Sequence, residues 1–487
     1  MNIDGACPKL QPPGSCDRPT LPAAPSSGAC PSSLARGGRD LIDAWTRLAF
    51  THREDGRLDD AELAARTVLR HAPDTAEARH VLGMVHHDRN RLSEAEDSLR
   101  GAIRLNPDAP AAWINLGLVR QKLGDLAEAE ACYRVAHRLG ASIAAVGGNL
   151  GLVLLEQGRV EEAELACRMA LAQRPDDAGA RLNLAMILLL TGRYAEGWAA
   201  YEARIAVDPW PSPAPNPAAL ALGNLTEARG RVVLVRGEQG FGDVLQFCRY
   251  APLLTAAGAR VILEVPPPLV GLLRTLPDVA EVIPTGSDPG WFDRHCRLLS
   301  LPFLFGTTLD TIPAEVPYLH ADPARAESWR QRLGHLSGRR VGILWAGGSR
   351  IDNPHAAAID RRRSIPLPAL APLERVTGCA FVSLRAGEAA PDWMHDAMAG
   401  VTDFAETAAI IAALDLVIAV DTAVAHLAGA LGKPVWLLNR HDTCWRWLRG
   451  RDDSPWYPTL RQFRQETAGD WDGVIARVAA ALAEPGP

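Results

Sequence analysis

The 487-residue sequence lacks several features that would each decide its class. It has no uninterrupted apolar run of about 18 residues, which a membrane-spanning helix would need. It opens with neither the basic start nor the apolar stretch of a secretory signal. Its formal net charge is −6, so no overall basic field favours nucleic acid. We therefore expect no transmembrane segment and no nucleic-acid partner, and we predict a cytoplasmic location.

Cysteine pairs are missing as well. The nine cysteines are scattered, with no close pair at metal-ligand spacing, and this pattern suits a reducing compartment better than a disulfide framework. Residues 1–40 are rich in Pro, Ser and Gly and have no apolar periodicity. Such a segment buries too little surface to offset the cost of ordering, so we predict a disordered tail. A chain of this length should divide into about three domains.

A period of 34 residues runs through the next part of the chain. A turn residue and a leucine followed by Ala or Gly both recur in register: Gly56, Asn90, Gly124, Gly158 and Gly192, and Leu48, Leu82, Leu116, Leu150 and Leu184. Small residues let paired helices approach closely, while Leu fills the layer between them. The pattern resembles tetratricopeptide repeats, and we predict an all-α solenoid of about five repeats over 41–206. Its concave face is expected to bind a protein partner.

A different pattern follows the repeats. Residues 207–228 are rich in proline and predict a linker. Short β-rich runs then alternate with helical segments in two series, 229–337 and 338–487. This alternation is typical of parallel sheets, so we predict two Rossmann-like α/β halves facing a cleft. The last helix, 471–482, is expected to pack across both halves. Because ligands bind beyond the carboxyl ends of such strands, the turns that follow strands are the candidate sites.

The first such turn is "RGEQGFGD" (236–243). Gly240 and Gly242 permit close backbone approach to a ligand, and Asp243 stands at the predicted helix start. A glycine-rich loop alone is weak evidence, because a tight turn with Asp243 as an ordinary N-cap explains it equally well.

The second turn is "WAGGSRIDNPHAAAIDRRRSIPL" (345–367). Gly347 makes the turn flexible, and Arg350 and Arg361 to Arg363 add positive charge. A guanidinium fork suits phosphate oxygens. For most of these arginines a solvated basic loop is the simpler explanation. Arg363, expected to open the following helix, is the strongest candidate.

The third turn is "DTAVAHLAGA" (421–430), where a strand becomes a helix. Backbone N–H groups at a helix start can cradle a phosphate. His426 lies about a turn and a half into this helix, near enough for its ring to approach a bound anion. A free carboxylate at Asp421 would repel phosphate, so we expect Asp421 to be the N-cap or an acceptor for a sugar hydroxyl.

Together, "GFGDVLQF", the basic loop and "DTAVAHLAGALGKPVWLL" resemble the glycosyltransferases related to bacterial heptosyltransferases. That resemblance covers roughly residues 229–465 and implies the glycosyltransferase-B fold. It also implies that Asp243 is the catalytic residue and that Asp421, Thr422 and His426 bind the donor's diphosphate. The order of repeats followed by a two-lobed transferase also resembles protein O-linked N-acetylglucosamine transferases, which favours a polypeptide acceptor.

These likenesses predict a glycosyltransferase that moves a sugar from a nucleotide-diphosphate donor to a polypeptide or glycan acceptor. Gly240, Gly242, Gly347 and Arg363 would complete the donor site. We expect no cofactor and no metal, because fixed positive groups and helix N-termini stabilise the leaving diphosphate in this fold class. The nucleotide sugar is then a substrate.

Two alternatives stay open. Ala423 stands where the family has glycine and adds a methyl group near the phosphate position, which favours an interaction scaffold with an inactive transferase-like domain. A dinucleotide-dependent oxidoreductase fits less well, since neither half carries the full phosphate fingerprint.

Overall fold

A computed structural model describes residues 31–207, 220–348 and 354–484. Contacts divide the chain into two compact units, and the division after the first four helix pairs falls between Ala180 and Arg181. Of the predicted disordered tail, residues 1–30 lie outside the described part. The first helix already begins at Pro31, so the helical region starts earlier than the predicted boundary.

The first unit consists of helices that pack in consecutive pairs. They are α1 (Pro31–Glu54), α2 (Leu58–His71), α3 (Ala76–Asp88), α4 (Leu92–Leu105), α5 (Pro110–Leu123), α6 (Leu126–Arg138), α7 (Ile143–Glu156) and α8 (Val160–Gln173). Each pair turns at the predicted position, where Gly56, Asn90, Gly124 and Gly158 have φ of +76°, +64°, +89° and +78°. Glycine, and less readily asparagine, tolerates this left-handed backbone. The predicted helical repeats are confirmed here.

The predicted small positions lie where paired helices cross. A Cβ atom on Gly117 would stand 2.7 Å from Cε1 of the fully buried Tyr133 ring. We expect Gly117→Ala to lower the free energy of unfolding by about 1–3 kcal/mol, because the packed ring cannot yield. Urea denaturation measures this. Gly38→Ala is the control, since Gly38 is also helical and nothing lies within 4 Å of its added Cβ. Equal losses in both variants would contradict close packing as the cause.

The fifth predicted repeat joins the second unit. Helix α9 (Ala178–Leu190) enters it, followed by α10 (Tyr194–Tyr201) and α11 (Arg204–Val207). Trp198 of α10 is fully buried and meets the rings of Phe247, Trp445 and Trp456 edge-on. The predicted domain boundary after residue 206 therefore differs from the observed division. The reason is that α10 supplies core aromatics to the second unit.

The first sheet of this unit is fully parallel, with strand order β1-β5-β2-β3-β4. Its strands are β1 (Leu220–Ala221), β2 (Val232–Arg236), β3 (Arg260–Val265), β4 (Glu281–Pro284) and β5 (Arg294–Arg297). The helices of this half are α12 (Phe241–Phe247), α13 (Tyr250–Ala256), α14 (Pro267–Leu273), α15 (Leu301–Leu304) and α16 (Pro323–Arg332).

The second sheet is also parallel, with order β11-β10-β9-β6-β7-β8. Its strands are β6 (Arg339–Leu344), β7 (Cys379–Ser383), β8 (His395–Asp396), β9 (Leu416–Val420), β10 (Val435–Asn439) and β11 (Leu460–Arg464). The helices are α17 (Pro354–Arg363), α18 (Ala371–Glu374), α19 (Phe404–Ala412), α20 (Ala423–Ala430) and α21 (Trp471–Ala483). The two predicted Rossmann-like halves are confirmed.

Two predictions are wrong, one about a boundary and one about packing. The linker was expected to reach residue 228, but β1 pairs with β5 and Asn224 caps a 3₁₀ turn at Leu225–Ala228. Residues 208–219 lie outside the described part. Helix α21 was expected to pack across both halves. Its buried face instead joins the core of the second half, where Val474 and Val478 share a cluster with Ile343.

Candidate functional site

Three neighbouring strands of the second sheet, β6, β9 and β10, end at the same edge. The loops that follow them meet there because the strands are parallel. Two of these loops were predicted as site elements. Ser349 and Arg350 of the loop after β6 lie outside the described residues.

Thr422 is the N-cap of α20, with extended backbone at φ −145° and ψ 172°. Its hydroxyl donates to the Val420 carbonyl at 3.1 Å and makes no capping bond. The predicted N-cap role of Asp421 is therefore wrong by one residue. Burial raises the pKa of Asp421, but His426 and the guanidinium groups of Arg363 and Arg440 outweigh it and hold that pKa below its usual value. The carboxylate stays ionised at the helix mouth.

His426 is buried inside this site. Its ring stacks on Trp447 with centroids 4.9 Å apart, and its Nδ1 lies 3.0 Å from the Tyr457 hydroxyl. Its Nε2 lies 3.9 Å from Asp421 Oδ1, so the other ring edge faces the helix mouth. Burial lowers the pKa of His426 to about 4. The imidazole is therefore neutral near pH 7 and can offer a neutral N–H.

Asp243 lies in the first turn of α12, in the opposite half. Its Oδ2 accepts a hydrogen bond from the backbone N–H of Gly240 at 3.0 Å, which makes Gly240 the N-cap and Asp243 the third helical residue. Its Oδ1 accepts from the guanidinium of Arg446. The carboxylate is thus bound on both oxygens.

Gly242 lies where the two α/β halves touch. A Cβ there would stand 2.9 Å from Cδ2 of His426 and 3.5 Å from Cα of Ala423. The first turns of α12 and α20 therefore touch, and only a residue without a side chain fits between them. This contact brings Asp243 close to His426.

The Arg363 side chain lies beside the loop that follows β6. Its Nη1 donates to the Asp421 carbonyl at 2.9 Å, and its Nη2 pairs with Asp360 at 2.6 Å. A Cβ on Gly347 would lie 2.7 Å from Nη2, so glycine admits the guanidinium. Arg363 ends α17 rather than opening a helix, which corrects that prediction.

Arg446 was missed. It lies in the loop after β10, is buried, and donates to Cys444 Sγ at 3.0 Å as well as to Asp243. Burial lowers its pKa, but the combined attraction of Asp243, Cys444, Tyr201 and Asp421 outweighs this and raises it. A signal was present in the sequence: "KPVWLL" predicts a strand, and the polar segment that starts at Arg440 is a fourth turn directly behind a strand.

Comparison with known proteins agrees with this architecture. The tetratricopeptide repeat profile matches residues 46–110, 88–142, 114–178 and 149–212. The profile of glycosyltransferase family 9 (heptosyltransferase) matches residues 385–442, a range that includes His426 but not Asp243. The chain therefore combines tetratricopeptide repeats with a C-terminal segment that matches the heptosyltransferase family profile.

Protein FlbA of Caulobacter vibrioides is 30% identical over an alignment of 321 residues that covers 59% of this chain and 52% of FlbA. The chain thus spans about half the length of this relative. Among solved structures, a thermophilic tetratricopeptide repeat protein of Thermus thermophilus is 22% identical, with TM-score 0.31, over 35% of this chain and 93% of its own. Pseudomonas aeruginosa pilF is 18% identical, with TM-score 0.34, over 45% and 86%.

Within the described ranges, no helix is both long enough and apolar enough to cross a membrane.

Proposed function

We propose that the chain transfers a sugar from a nucleotide-diphosphate donor to a polypeptide or glycan acceptor. The observation that carries this proposal is the contact between the first turns of α12 and α20, which gathers Asp243, Asp421 and His426 beside the end of β9. The match to the heptosyltransferase profile over the same C-terminal loop supports it.

In this mechanism the backbone N–H groups of α20 and nearby guanidinium groups hold the donor diphosphate without a metal. Asp243 accepts the proton of the acceptor hydroxyl as the acceptor oxygen attacks the sugar's anomeric carbon. The bond from that carbon to the diphosphate oxygen breaks, and the electron pair leaves with the nucleoside diphosphate. The repeats recruit the acceptor or a protein partner.

Calorimetric titration of the full chain with ADP, GDP, UDP and CDP tests the donor half of the proposal. We expect at least one to bind, and its sugar conjugates to be turned over. A chain that binds none of them is not a transferase of this kind.

Replacing His426 tests whether the diphosphate binds at the N-terminus of α20. His426→Ala should weaken nucleoside diphosphate binding by about 0.5–1.5 kcal/mol, because a neutral N–H contributes less than a charged one. His426→Asn keeps an N–H donor and should recover part of the loss. Isothermal calorimetry measures both. Unchanged affinity in a folded His426→Ala protein would place the diphosphate elsewhere.

The second candidate is an interaction scaffold with an inactive transferase-like domain. Ala423 favours it, because its methyl group stands in the first turn of α20 where the backbone would meet phosphate. A scaffold should neither bind nor hydrolyse nucleotide sugars. A donor-hydrolysis screen therefore separates the two candidates.

A further inference from the structure

The loop after β10 carries a buried arginine to the place where the two halves meet. The Arg446 guanidinium lies 4.1 Å over the Trp445 ring and donates to Cys444 Sγ on one side and to Asp243 on the other. Only 6% of Arg446 is exposed. Taking the Arg446 charge out of water is costly, so a purely stabilising role explains its burial poorly.

The helix that carries Asp243 also packs against α20. Arg446 donates to Asp243, whose neighbour Gly242 lies against Ala423 and His426. The same guanidinium is therefore close to the base candidate and to the mouth of α20. Its planar fork of donors suits a phosphate group as well as a carboxylate.

One polar side chain at this junction, Gln246, lacks a hydrogen-bond partner within the described residues. Gln246 is fully buried, and neither its amide oxygen nor its amide nitrogen makes a hydrogen bond within the described part of the chain. It follows Gly242 by one helical turn, on the face of α12 that packs against His426. An orphaned buried amide costs free energy, which indicates an interface suited to a polar ligand.

We propose that Arg446 is a switch between Asp243 and the donor diphosphate, so that donor binding makes Asp243 available as the base. This inference rests on the proposed function. Without donor, Arg446 holds Oδ1 of Asp243, while Gly240 holds Oδ2. A diphosphate carries more negative charge than a carboxylate, so it competes with Asp243 for the N–H donors of the Arg446 guanidinium. Once Arg446 turns to the phosphate, Oδ1 can accept the acceptor's proton. Transfer is therefore ordered, with the donor bound first.

If Arg446 is such a switch, substitutions of Asp243 and of Arg446 should have opposite effects on nucleoside diphosphate binding. In Asp243→Asn the competing charge is gone, so nucleoside diphosphate should bind about 3- to 10-fold more tightly. In Arg446→Gln a charged donor to phosphate is lost, so binding should weaken about 10- to 100-fold. Arg446→Lys keeps the charge without the fork and should fall between Gln and the parent.

The experiment is calorimetry on the full chain with UDP, GDP, ADP and CDP. Arg464→Gln is the matched control, since Arg464 lies in the same C-terminal segment and donates to the Leu448 carbonyl. It should bind like the parent. If the parent binds a nucleotide but Asp243→Asn binds no more tightly, the switch is wrong and the pair is a structural lock. Parent-like binding by a folded Arg446→Gln protein would overturn it equally.

Nucleotide binding by Asp243→Asn still tests the switch if Arg446→Gln fails to fold. Asparagine keeps the side-chain shape and still accepts the Gly240 N–H, so this variant should fold. Failure of the proposed function looks different. In that case the parent itself binds no nucleoside diphosphate, and the switch falls with it.

Discussion

Trp198→Ala should lower the free energy of unfolding of the second unit by about 3–5 kcal/mol. The indole is 1% exposed and lies at the centre of an aromatic cluster, with ring centroids 5.4 Å from Trp445 and 6.0 Å from Phe247. Alanine would leave a cavity that these large, mutually packed rings cannot fill. Guanidinium denaturation followed by Trp fluorescence measures the loss.

Trp291→Ala is the control, because Trp291 is 68% exposed and its removal should change stability by no more than about 0.5 kcal/mol. Hydrogen exchange locates the effect. The amides of β2 and β10 should lose protection in Trp198→Ala if α10 belongs to this unit. Normal protection of both strands would show that α10 is a dispensable end of the repeats.

Asp243→Asn should slow sugar transfer by about 10²–10⁴-fold, because the amide cannot accept the acceptor's proton. The fold should survive, since the amide oxygen still accepts the Gly240 N–H. The rate is measured as transfer of a labelled sugar or, with water as the acceptor, as donor hydrolysis. Nucleotide affinity should not fall.

Asp470→Asn provides the matched control. Asp470 caps α21 by accepting from the Gly473 N–H at 2.8 Å, and asparagine caps almost as well. It should leave the rate unchanged. A parent-like rate in a folded Asp243→Asn protein would remove Asp243 from the mechanism.

The repeats were predictable because their signals are local. A left-handed turn needs Gly or Asn, so Gly124 and Asn90 mark their positions directly in the sequence. The boundary of the second unit was not predictable in this way. The 34-residue repeat period gives no sign that Trp198 of α10 packs against Trp456, a residue 258 positions further on (456 − 198).

The candidate site could likewise be predicted only where its signals are local. Asp243 and His426 could be proposed as site residues because each follows a predicted strand, and parallel strands carry sites at one edge. The pairing of Asp243 with Arg446 joins residues from two halves, and no spacing encodes it. The neutral state of His426 likewise depends on burial beside Trp447 and Tyr457, which is a tertiary property. The N-cap at Thr422 rather than Asp421 shows the usual one-residue uncertainty of a helix start.

A crystal structure of the full chain with the tightest-binding nucleoside diphosphate would show directly whether Arg446 moves from Asp243 to the donor. We expect a diphosphate at the first turn of α20, within hydrogen-bond distance of the backbone N–H groups there and of Arg446. We also expect that the Asp243 carboxylate has lost its contact with that guanidinium. A nucleotide bound away from this turn, with the Asp243–Arg446 pair intact, would show that Arg446 does not link the donor to Asp243.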